Sequence, residues 1–589
     1  MVKINMSKQS IDNNVPKIDE QALLDKLCTH LRRIYTNDVN DIAQSILSVV
    51  KKYTPFVSTV AAPVWDHRDM ILITYGDSII REGEKPLQTL LEFLNGHVGE
   101  VISSVHILPF FPYSSDDGFS VIDYRQVNTQ LGDWNHINAL SADYKLMFDL
   151  VINHTSRENL WFYDFVEKRY PACEFFIEMS PDEDLSAVVR PRSSPLLSAV
   201  NTHRGTKYLW ATFSEDQIDL DFSNPQVLQE FIDILFYYLA NGARYIRLDA
   251  IAFLWKEVGT SCIHLPQTHE IVMLMRTLFD HLAPDCVLLT ETNVPHEENM
   301  SYFGDANEAH MVYQFSLPPL LLHAMNRGSS TYLTQWAASL PKMHERCTYL
   351  NFSASHDGIG LRSLEGILPQ HEVDDLLECM HRFGGFVSMK KNSDGSESPY
   401  EINISLFDAM QGIRLGPDQW QTPRFICSQA IVMAMQGIPA IYIHSLTATP
   451  NDLHSVEMSG RTRSINRKKW QYDELIPLLE NPNTPNQEVF NAILGLGRLR
   501  KEEPCFHPDH PQTIINLGSP FFTLIRHSPD GSRKLIAVHN ITPAPQKFSL
   551  VDCKVSEQYW YDLLTETEYP IDGEILLQPY QYMWLLHQA

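Results

Sequence analysis

From Met70 onward, short runs of apolar and β-branched residues alternate with segments of helical spacing, and this alternation is the strongest constraint on the fold. The runs read ILITYG (71–76), VISSVHILPF (101–110), KLMFDLVINH (145–154), RYIRLDA (244–250), VLLTETN (287–293), MVYQFS (311–316), TYLNFSASHD (348–357) and GIPAIYI (437–443). Helical periodicity marks several of the intervals, as in Val227 to Ala240 and Thr268 to Leu282. Parallel strands need crossovers long enough to hold a helix, so eight repeats predict a (β/α)8 barrel. A doubly wound open sheet gives the same alternation, because periodicity does not reveal closure.

Intervals too long for plain connections divide the chain further. After the third run, residues 156–222 hold Pro171, Pro181, Pro191 and Pro195 among many polar residues, which predicts a small inserted domain over the barrel mouth. The barrel then comprises 61–155 and 223–504. Gly358 to Thr422, carrying KKNSDGSESPYEIN, reads as a long active-site loop flanked by helix. From 505 to 589 the text changes to strands such as FFTLIRH and KLIAVHN separated by turn signals, an antiparallel β domain. Residues 1–60, with Leu23, Leu27, Leu31 and Ile34 and then Ile42, Ile46 and Val50, form a helical extension.

The formal charge of −26 argues against nucleic acid or an anionic membrane as a partner. Nine scattered cysteines without a CxxC pair suggest neither zinc nor disulfides, and so a reducing, cytoplasmic setting. MVKINMSKQSIDNN lacks the apolar core of a signal peptide. The greasy stretch Phe425 to Ile443 is interrupted by Ser428, Gln429, Gln436 and Pro439, so it reads as a buried helix and strand rather than a membrane span. The sequons at Asn153, Asn351, Asn403 and Asn540 are then coincidental.

Three carboxylates, Asp249, Glu291 and Asp357, each fall at or just past the end of such a run. Cleaving a glycosidic bond with retention takes a carboxylate nucleophile and a carboxyl group that gives and then takes a proton, about 5 to 5.5 Å apart. Arg247 shares a strand face with Asp249 and is expected to keep it ionised; a purely structural Arg–Asp pair has the same spacing. Glu291 follows VLLT, where desolvation raises an acid toward neutral pH, unless it is a capping residue. Asp357 with His356 suits sugar hydroxyls and an oxocarbenium-like transition state, and Asp149 and His154 add ring contacts.

The strings DLVINH, RLDA, TETN and SHDG, in this order, resemble the four motifs of the α-amylase superfamily of retaining glycoside hydrolases and transglucosidases. That resemblance, over roughly 70–589, implies Asp249 as nucleophile, Glu291 as acid/base and Asp357 as transition-state stabiliser, with Arg247, His154 and His356 touching the ring or the carboxylates. SSDDGFSVIDY, FSEDQIDLD, WKEVGTSC and SINRKKW are similar to the sucrose phosphorylase subfamily, whose members release α-glucose 1-phosphate. Carried over, Asp116, Phe119, Gln217 and Arg467 line the glucose pocket, with Asp116 and Arg467 gripping the far end of the ring. No metal or other cofactor is called for, although amylases often bind calcium near the position of Asn153.

A phosphorylase needs cations that favour phosphate over water, and the inserted segment offers Arg190 and Arg192, then Arg204 and Lys207. In the loop that holds fructose in sucrose phosphorylases, Ser398 and Glu401 stand here where that family has Asp and Gln, flanking Tyr400. RPRSSPLL, AHMVYQFSLPPL and SPYEIN look more like the glucosylglycerate phosphorylases of the same subfamily. Glycerate and phosphate are both small anions that one arginine-rich pocket serves in turn. The partners implied are a small glucoside and inorganic phosphate, with sucrose, sucrose 6′-phosphate and glucosylglycerol as alternative substrates. Hydrolysis, or a sugar-binding relative without turnover, is the rival reading of another class.

Overall fold

The computed structural model describes residues 19–57, 64–192, 194–391 and 396–588. The leader string up to Asn14 and part of KKNSDGSESPYEIN thus lie outside the described residues, as do both ends of the 1–60 extension.

Eight parallel strands close into a barrel: Ile71–Thr74, Ser104–Ile107, Lys145–Val151, Ala243–Asp249, Val287–Thr290, Met311–Tyr313, Thr348–Phe352 and Ile438–Tyr442. Each falls within, or one residue beyond, one of the eight sequence runs. Closure is direct, because the first strand pairs with both the second and the eighth. The open doubly wound alternative is excluded. Strands covered on both faces read as continuous apolar runs rather than alternating ones, which is why they are conspicuous. Crossover helices start where the sequence places a proline in the first turn: Pro225–Ala240, capped by Asn224 accepting from the Gln226 N–H, and Pro266–Leu282.

Register fixes the barrel mouth. Asp149 lies opposite Arg247 on the third and fourth strands, and Leu248 opposite Thr290 on the fourth and fifth. The Glu291 N–H donates to the Leu248 carbonyl at 3.1 Å, so Glu291 leaves its strand beside Asp249. Between the third and fourth strands lie the helix Leu160–Glu167 and the hairpin Leu197–Thr202 with Gly205–Trp210. A six-stranded sheet from Thr513 to Gln588 surrounds its own apolar cluster of Phe521, Ile536, Phe548, Trp560 and Leu585. Buried Arg526 joins that sheet to the barrel through the carbonyls of Ala434 and His507, at 3.1 and 2.7 Å.

Helices Glu20–Ile34 and Val39–Tyr53 dock on the outer faces of Pro266–Leu282 and Pro225–Ala240. His30 meets Glu270 at 2.6 Å and Lys52 meets Asp233 at 2.6 Å. All four sequon asparagines are buried, eight of the nine free cysteines are buried, and Phe425 to Ile443 is a helix and the eighth strand. No helix among the described residues is long and apolar enough to cross a membrane.

One expectation is corrected. The stretch read as a long active-site loop flanked by helix does carry the helix Gln370–Arg382, but the part read as loop contains a β-hairpin, Phe386–Lys391 paired with Glu397–Asn403. Tyr400, Glu401, Ile402 and Asn403 are buried in succession, so their strand shows no inside–outside alternation, and the lysines and serines nearby hide it further.

Candidate active site

The C-terminal ends of the strands surround a cavity lined by Asp116, Phe119, His154, Gln217, Asp249, Glu291, His356 and Asp357, with Arg192, Tyr400 and Arg463 on the outer side. At its floor Arg247 is fully enclosed. Its Nη1 binds Asp149 and, at 2.7 Å, Asp249, while Nη2 lies 3.8 Å from Glu291. Asp149 also accepts from His106 at 2.7 Å, and Arg247, with His106 adding to it, holds it below the usual carboxylate range against the opposing effect of burial. Ala250, at φ 51°, turns the chain out of the fourth strand so that its N–H donates to Glu291 Oε2 at 3.1 Å. Asp249 and Glu291 thus meet around one guanidinium.

Burial raises the Asp249 carboxyl well above its ordinary value, with Glu291 and Asp149 adding to it; burial also raises Glu291, with Asp357 adding. This corrects the expectation that Arg247 keeps Asp249 ionised. Asp149 takes a share of that guanidinium, and the remaining positive charge does not offset the desolvation of two further carboxylates.

Asp357 differs. Burial acts to raise it as well, but Arg463 at 2.6 Å, together with Arg467 and Arg247, holds it far below the usual range. His356 stacks on Phe119 with ring centroids 4.9 Å apart, and burial keeps the imidazole neutral. On the opposite wall the Gln217 amide reaches Asp116 Oδ2 at 3.3 Å and His154 Nε2 at 3.2 Å. Asp116 and Asp117 both have positive φ, 54° and 49°, and a Cβ on the following Gly118 would meet the Pro109 carbonyl at 2.6 Å. This strained turn sends Asp116 into the cavity and Asp117 onto Arg467.

Arg467, which the resemblance implied in the pocket lining beside Asp116, is not among the residues that line the cavity. It lies behind the wall, bound to Asp117 and donating from Nε to the His356 carbonyl at 2.9 Å. Glu401 likewise is not a lining residue, because Arg463 holds it from behind, Nε to Oε1 at 2.8 Å and Nη2 to Oε2 at 2.7 Å. Of the four candidate cations in the inserted segment, only Arg192 lines the cavity. Arg204 and Lys207 pair with Glu178 on the outer hairpin, and Arg190 is half-buried outside the lining.

Sequence reasoning missed Arg463, Phe213 and Lys256. Arg463 directly precedes the quoted SINRKKW, and Phe213 opens the quoted FSEDQIDLD, so both stood within reach of motifs already singled out. Lys256 was quoted only as part of WKEVGTSC. Its buried ammonium sits between Asp219 at 2.6 Å and Asn153 at 2.8 Å, supplying positive charge where a cation was weighed. Among the described residues no group of three His, Cys, Asp or Glu side chains is arranged to hold a metal.

A closed parallel barrel with paired carboxyls across a cavity at its C-terminal face defines an enzyme of carbohydrate chemistry. Residues 98–366 match the model of the α-amylase catalytic domain. The chain is 43% identical to the glucosylglycerate phosphorylase of Escherichia coli (strain K12), over 88% of this chain and 92% of that one. It is 29% identical to the sucrose phosphorylase of Bifidobacterium adolescentis, over 77% and 89%. The crystal structure of sucrose 6F-phosphate phosphorylase from Thermoanaerobacter thermosaccharolyticum superposes with TM-score 0.70 at 24% identity, covering 80% of this chain and 94% of that one, and shares the fold. The chain belongs to the α-amylase family and, within it, to the glucosylglycerate phosphorylase family.

Proposed function

We propose that this protein phosphorolyses 2-O-α-D-glucosyl-D-glycerate with retention, giving α-D-glucose 1-phosphate and D-glycerate. The observation that carries the proposal is one cavity holding two buried carboxyls on a shared guanidinium and, across from them, an arginine left for an anion. The buried pair keeps one proton. Burial raises Asp249 the further of the two, but the direct 2.7 Å contact of Arg247 with Asp249, against 3.8 Å to Glu291, supports assigning the shared proton to Glu291.

In the first step an Asp249 oxygen bonds the anomeric carbon while the bond to the glycerate oxygen breaks, and Glu291 gives that oxygen its proton. D-Glycerate leaves. In the second step a phosphate oxygen bonds the same carbon, its proton goes to Glu291, and the ester to Asp249 breaks. Two inversions retain the α configuration. Asp357, ionised beside the ring, stabilises the oxocarbenium-like charge, while Asp116, His154, Gln217 and His356 take the hydroxyls.

Arg192 supports an anionic acceptor. Its guanidinium lies 5.4 Å from the Tyr400 ring centroid and 5.9 Å from that of Phe213; its charge also acts on Glu401, but Glu401 is held directly by Arg463. Aromatic faces hold the cation while leaving its N–H groups for glycerate carboxylate and then phosphate. The 43% against 29% identities support glycerate over fructose as the leaving group. Buried, unpaired cysteines support a reducing, cytoplasmic setting.

The test incubates the protein with glucosylglycerate, sucrose or glucosylglycerol, each with and without phosphate, and measures glucose 1-phosphate and free glucose. Phosphate-dependent glucose 1-phosphate, fastest from glucosylglycerate, is expected. Faster turnover of sucrose, or equal glucose release without phosphate, overturns the reading.

A further inference from the structure

Glu401 is 3% exposed, on the inner strand of the hairpin that closes the cavity mouth. A carboxylate that deep needs a cation. Arg463 supplies it through Nε and Nη2 at 2.8 and 2.7 Å, a bidentate pair, and turns Nη1 to Asp357 at 2.6 Å. Each of the three guanidinium nitrogens is therefore engaged, and all three elements involved are far apart in sequence. Glu401 packs against the main chain beside Asp357, where a Cβ on Gly358 would meet its Cδ at 2.9 Å, so the side chain fits there only because that residue is glycine.

We propose that Glu401 is a positioning residue: it acts through Arg463 to fix the place of the Asp357 carboxylate against the glucosyl ring. The inference rests on the reading of Asp357 as the group that stabilises the transition state. Without the Glu401 carboxylate, two nitrogens of a buried guanidinium lose their acceptors, and the arginine turns toward the nearest other anion in the cavity. Asp357 then keeps a cation nearby but loses its fixed direction. The charged and titratable groups facing Asp357 are His356 at 3.4 Å, Arg463, Arg467 at 4.0 Å, Arg247, Glu291 and Glu401 itself. Arg463 is its strongest counter-charge, so substitution of Arg463 moves the acid limb of the rate profile to higher pH. Substitution of Glu401 does not.

The experiment measures steady-state phosphorolysis by the parent, Glu401→Gln, Arg463→Met and the double variant, across the pH range of parent activity. For Glu401→Gln, kcat is expected to fall about tenfold or more, the scale of a lost charge-assisted hydrogen bond, with KM for phosphate within about twofold and the acid limb in place. Arg463→Met lowers kcat and shifts the acid limb upward. The double variant is no slower than Arg463→Met, because the two residues act as a unit. Parent kcat in Glu401→Gln, or a double variant whose loss is the product of the single losses, overturns the proposal. Should Glu401→Gln fail to fold, Glu401→Asp replaces it; a side chain one methylene shorter does not reach both nitrogens and carries the same expectations. If the parent prefers another glucoside, the comparison is made on that one, which separates this inference from the choice of acceptor.

Discussion

The floor and the mouth of the cavity are built by different means. On the floor, Asp149, Arg247, Asp249 and Glu291 hang from three adjacent strands whose register is set by backbone hydrogen bonds, so each position follows from its neighbour. At the mouth, Arg192 comes from the inserted segment, Tyr400 and Glu401 from a hairpin and Arg463 from a 3-10 turn, and only side-chain contacts join them. The chemistry of bond cleavage is thus tied to the main chain, whereas the choice of acceptor is tied to side chains that can change without disturbing the barrel. This division fits a family in which glucosylglycerate and sucrose phosphorylases share one fold.

Floor substitutions should abolish turnover for every acceptor alike. Asp249→Ala is expected to lower kcat/KM by about 10⁴-fold or more with any glucoside, by loss of the nucleophile. Glu291→Gln should cost about 10²- to 10⁴-fold with glucosylglycerate, yet little with α-D-glucosyl fluoride in the first step, since fluoride leaves without a proton. The sign of the pH effect follows from the raised carboxyl: in its proposed role as the acid Glu291 works protonated, so parent kcat/KM is expected to fall as pH rises through its elevated pKa. That basic limb should vanish in Glu291→Gln. An acceptor-dependent loss in either variant breaks the division between floor and mouth.

Legibility in the sequence follows the same line. Asp249, Glu291 and Asp357 could be read because each ends an apolar run, and the end of a buried parallel strand is where a barrel presents its chemistry. The pairing of Arg247 with Asp249 followed from the two-residue period of a strand. Arg463 carried no such signal. It lies 62 positions from the carboxylate it grips, and nothing local marks a side chain whose role is set by a distant partner. For the same reason Arg467 was expected in the pocket lining: nothing local shows that Asp117, next to Asp116, holds it, and only the strained turn decides which aspartate faces the cavity. Pattern reading could not rank the four candidate cations either, because each is an ordinary loop or hairpin residue until the hairpin folds outward.

Substitution of the mouth cation that faces the acceptor should therefore act on acceptors and spare the chemistry, whereas Glu401 and Arg463 reach the chemistry through Asp357. Arg192→Ala is expected to raise KM for phosphate, and for D-glycerate in the reverse direction, about ten- to a hundredfold, the equivalent of one or two charge-assisted hydrogen bonds. Glucosyl-enzyme formation from α-D-glucosyl fluoride should stay near the parent rate. Arg192→Lys should recover part of the loss, since a lysine keeps the charge without the planar fork. The smallest effect is expected for Lys207→Ala, measured the same way. Lys207 belongs to the same inserted segment and carries the same charge, but it is spent on Glu178 at the surface, where an ion pair contributes little. Its KM for phosphate should stay within about twofold of the parent. An equal response from both variants would mean that phosphate is drawn by the general charge of the segment, and Arg192 would lose its assignment as the specific contact.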